Sequence, residues 1–196
     1  PRQRISLTLA EKDYSHLVKF SNFVGTDIET RNVTQKNSYA PGQKNFDGKC
    51  FRIGFSSMTI YQRLQGLGFT NQKTLVLYPH DSLKHSRDFW RGVVDADGWV
   101  GFSNETRHDG KYDTGTLGLS GTEETCKYFM DFLIFSGIKS NVTPRKDKRA
   151  NVWSLNINMH NAQKALNLLY KDSQVYLDRK YQKYLEIVNP GLEPIN

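Results

Sequence analysis

The sequence has few cysteines and no long apolar run. Its two cysteines, Cys50 and Cys126, are too few for a disulfide framework or for a thiolate zinc site. The best apolar stretch, 128–135, is interrupted by Asp131 and is far shorter than the roughly 18 residues that a membrane-spanning helix needs. The first residues alternate between polar and apolar, unlike the apolar segment of a signal peptide. We therefore expect an intracellular protein of the cytoplasm or nucleoid, or of an organelle.

Acidic residues are outnumbered by basic ones. The 196 residues include 27 Lys and Arg against 20 Asp and Glu, which gives a net charge of +7, and the isoelectric point is about 9.3. Hydrophobic residues make up 37% of the chain, too much apolar surface for a chain that stays unfolded. The length fits one or two domains. The basic charge suits a protein that neutralises phosphates, although it also serves solubility.

The two halves of the sequence resemble each other. Leu17 aligns with Phe129, and the same offset of 112 residues (129 − 17) aligns further phenylalanine and glycine pairs. Each copy has the periodicities of a strand, a helix, two strands and a helix. The patterns predict these elements at 5–9, 11–24, 31–39, 50–57 and 58–67, then at 114–120, 122–136, 139–147, 151–158 and 159–170, with a last helix at 174–187.

The repeat predicts an α+β chain with two half-domains, 1–80 and 81–196. One segment, 86–98, has no counterpart in the first half. Ser86 is typical of a helix N-cap, and Gly98 is typical of a left-handed C-cap. The spacing of Phe89, Val93 and Ala96 predicts the apolar stripe of this helix.

The predicted helix ends on two acids, Asp95 and Asp97. Acids at a helix C-terminus lie at the negative end of the helix dipole, where a cation would offset the cost. Carboxylate and carbonyl oxygens are the ligands of a hard divalent metal ion. Gly92 and Ala96 are four residues apart, so a second helix could approach this face closely.

The nine residues from Trp90 to Gly98, WRGVVDADG, resemble the motif that names the LAGLIDADG homing endonucleases. Positions 92 and 95–98 match the motif outright, and the order of elements in each copy is also similar to that family. The resemblance implies two pseudo-symmetric αββαββα units, the first incomplete, that pack through the motif helices at Gly92 and Ala96. Their antiparallel sheets would form a saddle over double-stranded DNA.

The same resemblance implies a site-specific endonuclease that hydrolyses phosphodiester bonds of a long DNA target and serves intron or intein mobility. Asp97, helped by the Ala96 carbonyl, would bind Mg²⁺, for which Ca²⁺ or Mn²⁺ could substitute. Lys73 and Lys180, which come after the helices predicted at 58–67 and 159–170, would act near the scissile phosphates. Asp95 would have a structural role at the helix end.

DNA-contacting residues are expected on the sheets and on one hairpin. Alternation along a strand separates polar side chains, which would face DNA, from apolar ones that pack beneath the sheet. The candidates are Arg52, Ser56, Ser103, Arg107, Ser154, Asn156 and Asn158 on the strands and Arg145, Lys146 and Lys148 at the hairpin.

The sequence departs from the family pattern in one respect. A first-copy equivalent of Asp97 would precede Pro1, so the chain supplies one acid where a double-strand cut uses two. Three explanations are open: the missing helix and strand lie on another polypeptide or were removed by processing, the chain forms a homodimer, or it does not cut both strands. We favour the first.

Two other interpretations concern the acidic segment and the function of the chain. A calcium loop with Gly98 at position 6 would have Val93 and Asn104 at its anchoring positions, and neither suits. An intron RNA maturase or a non-cleaving DNA-binding protein on the same fold is the alternative function.

Overall fold

A computed structural model describes residues 3–35, 46–69, 80–107, 110–139, 142–146 and 152–190. The chain divides into two compact units, 1–63 and 64–196. The predicted division at 80/81 is later in the chain, and residues 70–79 between the two positions lie outside the described ranges. No helix within those ranges is long and apolar enough to cross a membrane.

The first unit is built around a three-stranded antiparallel sheet. Leu17 and Ile53 are fully buried, and Gly25 ends the first helix in the left-handed conformation that glycine tolerates, at φ 64°. The strand order is β1-β3-β2. The elements are β1 (Arg4–Ala10), a 3-10 turn (Glu11–Asp13), α1 (Tyr14–Val24), β2 (Glu29–Gln35), β3 (Phe46–Ser56) and α2 (Met58–Gly66), which contains the boundary between the units.

The second unit has a four-stranded antiparallel sheet of order β4-β5-β7-β6. Its helices and strands follow one another as αββαββα, with one helix added. The elements are α3 (Arg87–Asp97), β4 (Gly98–Arg107), β5 (Gly110–Gly121), α4 (Glu123–Phe135), β6 (Arg145–Lys146), β7 (Trp153–Asn158), α5 (Met159–Tyr170) and α6 (Asp178–Val188).

The strand orders confirm the internal repeat. β1-β3-β2 in the first sheet corresponds to β5-β7-β6 in the second, and α1 and α2 correspond to α4 and α5. Within the described part of the first unit, α3 and β4 have no counterpart. The predicted fold class, α+β with two related units, is therefore confirmed.

The sheet of the second unit has one apolar face. Leu117 and Leu119 of β5 and Leu155 and Ile157 of β7 point to this face and are buried with the helices of the unit. Because side chains alternate along a strand, the residues between them lie on the opposite face. That opposite face carries the polar residues of the candidate site.

The core-facing side of α3 differs from the predicted stripe. Trp90 and Val94 are fully buried, whereas Phe89 and Val93 are half-buried and Ala96 is exposed. The Trp90 indole packs with its ring centroid 5.2 Å from that of Phe129, and its Nε1–H donates to the Lys84 carbonyl at 2.7 Å. The large ring of Trp90 buries more apolar area than any neighbour in the motif, which turns this side of the helix to the core.

Both ends of α3 can be compared with the sequence prediction. Ser86 is the N-cap as predicted, and its Oγ accepts a hydrogen bond from the Phe89 N–H at 3.2 Å. The prediction of a left-handed C-cap at Gly98 is wrong, because this residue is extended, with φ −96° and ψ −179°, and begins β4 directly. Glycine is needed there for close approach instead. A Cβ at 98 would lie 2.6 Å from the Gly118 carbonyl oxygen and 2.8 Å from that of Val94.

Candidate functional site

The last turn of α3 ends on an exposed carboxylate. Asp97 is the final residue of the helix, and both Asp97 and Ala96 are exposed. Among the described residues, no hydrogen-bond or ion-pair partner reaches the Asp97 carboxylate. An acid in this position is available to a ligand from solution.

The other acid of the segment, Asp95, is held by the fold. Its Oδ1 accepts a hydrogen bond from the Tyr170 hydroxyl at 2.6 Å, and its Oδ2 accepts one from the Leu177 N–H at 3.0 Å. Burial, reinforced by the nearby Asp95 carboxylate, raises the pKa of Tyr170, so the phenol stays protonated as the donor. These contacts support the structural role expected for Asp95.

Lys180 lies against the backbone at the end of α3. The side chain is in α6 and the residue is only 3% exposed. Its Nζ donates to the carbonyl oxygens of Val94 at 2.6 Å, Asp95 at 2.8 Å and Gly98 at 2.6 Å. The ammonium group is therefore turned into the protein, not out toward a ligand.

A second buried cation, Arg91, ties the loop after α5 to α3. The residue is 7% exposed, and its guanidinium donates to the carbonyls of Val175 at 2.7 Å and Leu169 at 3.2 Å. It also pairs with the exposed Asp88 carboxylate at 2.8 Å. Together with the Asp95 contacts, these bonds join segment 169–177 to the motif helix along its length.

The oxygen atoms at the end of α3 suit a hard cation that takes one or two ligands from the protein and the others from water and substrate. No cluster of three or more His, Cys, Asp or Glu is found in the described ranges, so Asp97 is the main protein ligand available. Side-chain donors reach the carbonyls of Val94, Asp95 and Gly98, and among the described residues none reaches the carbonyl of Ala96. Mg²⁺ commonly binds one or two protein oxygens and completes its shell with water and phosphate oxygens.

The polar face of the second sheet starts next to this helix end. Thr116 lies opposite Gly101 of β4 and opposite Asn158 of β7. Its hydroxyl oxygen lies 2.6 Å from Asn156 Oδ1 and 2.8 Å from Asn158 Oδ1, so the hydroxyl hydrogen is donated to one of the two amides. Strand alternation and the register bring Ser103, Ser154, Asn156 and Asn158 together on this face, as predicted.

The hairpin residues divide between the two faces. Arg145 lies opposite Ser154, and residues directly opposite each other share a face, so Arg145 belongs to the polar face. Lys146 lies opposite Trp153, whose side chain packs against the core. Lys146 is exposed, but the register does not bring it to the face of Asn156.

The sheet of the first unit carries Arg52 and Ser56 on its polar face. Ile53 is buried and Phe55 is half-buried on the other face of β3, which follows the predicted alternation. Arg52 lies opposite Thr8 and Glu29, and its buried Nε has no hydrogen-bond partner among the described residues. Ser56 is exposed.

Three predicted residues cannot be placed. Lys73 and Lys148 lie outside the described residues. Arg107 ends β4 and its backbone pairs with Gly110, but its side chain also lies outside the described part of the structure.

Sequence reasoning missed Tyr170, Arg91 and Trp99. The Trp99 ring lies on the polar face over Gly118, where a Cβ would be 1.9 Å from the indole. Arg91 is the one basic residue among the nine residues of the motif, which is the signal in the sequence that points to it. No pattern along the chain connects Tyr170 with Asp95, because 75 residues separate them.

Comparison with solved structures identifies proteins that share this fold. No protein-family profile and no curated protein matches the sequence. The structure resembles the meganuclease I-SmaMI bound to uncleaveable DNA with a TTCT central four, at a TM-score of 0.60 and 11% identity, covering 94% of this chain and 79% of that one. It also resembles the I-SmaMI LAGLIDADG homing endonuclease bound to cleaved DNA, at a TM-score of 0.58 and 10% identity, covering 94% of this chain and 76% of that one. The chain therefore has the fold of the LAGLIDADG homing endonucleases.

Proposed function

We propose that this protein is a site-specific endonuclease that hydrolyses phosphodiester bonds of double-stranded DNA with a divalent metal ion. The observation that carries the proposal is the exposed Asp97 carboxylate at the end of α3, next to the polar face of a sheet. The fold supports it, because I-SmaMI of the same fold is described as a homing endonuclease bound to cleaved DNA. The resemblance to that family extends the proposal to a role in intron or intein mobility.

The acid and the neighbouring carbonyl would hold the metal ion. Asp97 would supply a carboxylate oxygen and Ala96 its carbonyl oxygen, a donor set that suits Mg²⁺, with Ca²⁺ or Mn²⁺ as substitutes in the site. Such an ion would supply positive charge beside the scissile phosphate and favour deprotonation of water. In the overall reaction the water oxygen bonds to phosphorus, one phosphorus–oxygen ester bond breaks, and the leaving oxygen takes up a proton.

The polar sheet face would bind the DNA. Asn156 is exposed, and amide groups can pair with base edges in the major groove. Arg145 would contact phosphate, and the net charge of +7 favours association with DNA in general. Trp99 lies on this face two residues after Asp97, so its ring would lie close to the base pairs nearest the cut.

A second motif helix would complete the enzyme. Gly92 and Ala96 are exposed on α3, and a Cβ at 92 would meet nothing within 4 Å. This open face leaves room for close approach of another helix, from a further segment, another chain or a second copy. That helix would bring the second acid needed to cut both strands.

Cleavage of a randomised duplex library tests the function. The protein is incubated with the library in Mg²⁺, with EDTA as the metal-free control, and new DNA ends are found by sequencing. We expect ends at one recurring sequence with the wild type and with Asp131→Asn, an exposed acid of α4, but none with Asp97→Asn. Ends that Asp97→Asn still produces would contradict the proposal. Splicing of an intron RNA assisted equally by wild type and Asp97→Asn would favour the maturase alternative.

A further inference from the structure

We infer that Lys180 is a positioning residue, which together with Asp95 and Tyr170 fixes the last turn of α3 so that the carboxylate of Asp97, and not that of Asp95, faces solvent. We call these three residues the α3 clamp. The contacts of the clamp lie within the second unit, and the effect of the clamp on the reaction rests on the proposed function. The clamp assigns Lys180 to the protein backbone instead of to a DNA phosphate.

The hydrogen-bonding capacity of Lys180 is taken up by carbonyls. A lysine ammonium has three donors and no acceptor. The three carbonyl oxygens of Val94, Asp95 and Gly98 lie 2.6–2.8 Å from Nζ. With the residue 3% exposed, this geometry leaves no donor directed at a ligand in solution.

The charge of Lys180 also matches its surroundings. The last carbonyls of a helix lack intrahelical partners and form the negative end of the helix dipole. Asp95 and Asp97 add two negative charges at the same end, so a buried cation there stabilises the turn.

Asp95 and Tyr170 hold the turn from the other side. Both carboxylate oxygens of Asp95 accept hydrogen bonds, from the Tyr170 hydroxyl and from the Leu177 N–H. Tyr170 is the last residue of α5, and Leu177 is the N-cap of α6. The two helices therefore hold the side chain of Asp95 by hydrogen bonds, and Lys180 of α6 donates a hydrogen bond to its carbonyl.

The contacts on either side of Asp97 restrict its backbone. Asp95 is held by its side chain and its carbonyl, and Gly98 is held by its carbonyl. Gly98 is also confined by the close approach of the Gly118 carbonyl. With residues 95 and 98 both fixed, the backbone of Asp97 is held in place, which is the pre-organisation that a metal-holding acid needs.

Replacement of Lys180 by methionine distinguishes a backbone contact from a phosphate contact. The matched control is Lys183→Met, one turn away in the same helix, where the ammonium is exposed and pairs with Glu186 at 2.6 Å. Thermal unfolding is measured for each variant, together with binding to a random-sequence 30-bp duplex over a range of salt concentrations. A phosphate contact contributes about 0.9 to the slope of log K against log salt.

We expect Lys180→Met to lower the Tm by roughly 5 °C or more, because three buried carbonyls lose their donor, and to leave the salt slope unchanged. Lys183→Met should keep the Tm. An unchanged Tm in Lys180→Met, or a salt slope smaller by about 0.9, would overturn the inference. Both measurements are independent of cleavage, so they decide the clamp even if the wild type does not cut DNA.

A milder variant tests the effect on the reaction. Tyr170→Phe removes only the hydroxyl that binds Asp95, and Tyr184→Phe removes a hydroxyl that donates to Asn167 at 3.1 Å. Well below the Tm of each variant, we expect Tyr170→Phe to cut at about one-tenth of the wild-type kcat with unchanged duplex affinity in Ca²⁺. Tyr184→Phe should keep the wild-type kcat. Equal kcat values for the two variants would contradict a positioning role.

Discussion

The indole of Trp99 covers Gly118, its direct partner across β4 and β5. A Cβ at 118 would lie 1.9 Å from the ring, so the aromatic side chain occupies the space that any other residue would need. The contact lies on the polar face of the second sheet, two residues beyond Asp97. It joins the end of α3 to the surface that we propose for DNA binding.

Gly118→Ala should therefore displace the Trp99 ring. We expect a change in tryptophan emission and a loss of about 1–3 kcal/mol in the free energy of unfolding. Gly101→Ala is the matched control, because Gly101 lies on the same face but a Cβ there would meet nothing within 4 Å. Fluorescence and urea unfolding of the two variants check the prediction, which fails if they behave alike.

Two glycines of the motif should respond in opposite ways to alanine. Gly98→Ala brings a Cβ to within 2.6 Å of a backbone carbonyl, so we expect a loss of about 3 kcal/mol in the free energy of unfolding. Gly92→Ala places a Cβ in open space inside a helix, where alanine gains roughly 0.5–1 kcal/mol over glycine. Urea denaturation measures both values. A stabilised Gly98→Ala, or a Gly92→Ala as unstable as Gly98→Ala, would contradict the conclusion that only position 98 needs glycine for close approach.

Alkaline pH should destabilise the protein. Burial raises the pKa of the Cys126 thiol from 9.0 to about 11, and it also raises the pKa of Tyr170 above its ordinary 10.0. Both groups ionise more readily in the unfolded chain, so stability is fully present below about pH 9 and falls as the pH rises toward 11. Free energies of unfolding in urea at several pH values test this.

The Cys126→Ala variant is the control for the alkaline effect. It should lose less stability than the wild type between pH 8 and pH 10, because it lacks the buried thiol. A free energy of unfolding that stays level or rises over this interval in the wild type would count against the buried, protonated state of the two groups.

Much of the fold follows from patterns along the chain. The repeat predicts the correspondence of the two sheets, and the periodicity predicts α5 at 159–170, as observed. Ser86 is found as the N-cap because capping depends on residues only three apart. Features of this kind depend on residues that are close in sequence, so they can be predicted without the tertiary structure.

The remaining features depend on contacts between distant segments. The contacts of Lys180 with carbonyls 82 to 86 residues earlier in the chain are one example, because no local pattern indicates them. Gly98 looks like a helix cap in sequence and is instead a point of close approach to Gly118. The core-facing side of α3 is determined by the packing of Trp90 against α4, which hydrophobic spacing alone does not reveal.

The most direct test of the account is a plasmid assay with Asp97→Asn. A supercoiled plasmid carrying the recurring target sequence is incubated with wild type or variant in Mg²⁺, and binding is measured separately in Ca²⁺. We predict that the wild type nicks or linearises the plasmid, whereas Asp97→Asn still binds the target but leaves the plasmid supercoiled. Nicking by Asp97→Asn at the wild-type rate would contradict the central claim that the exposed acid at the end of α3 carries the reaction.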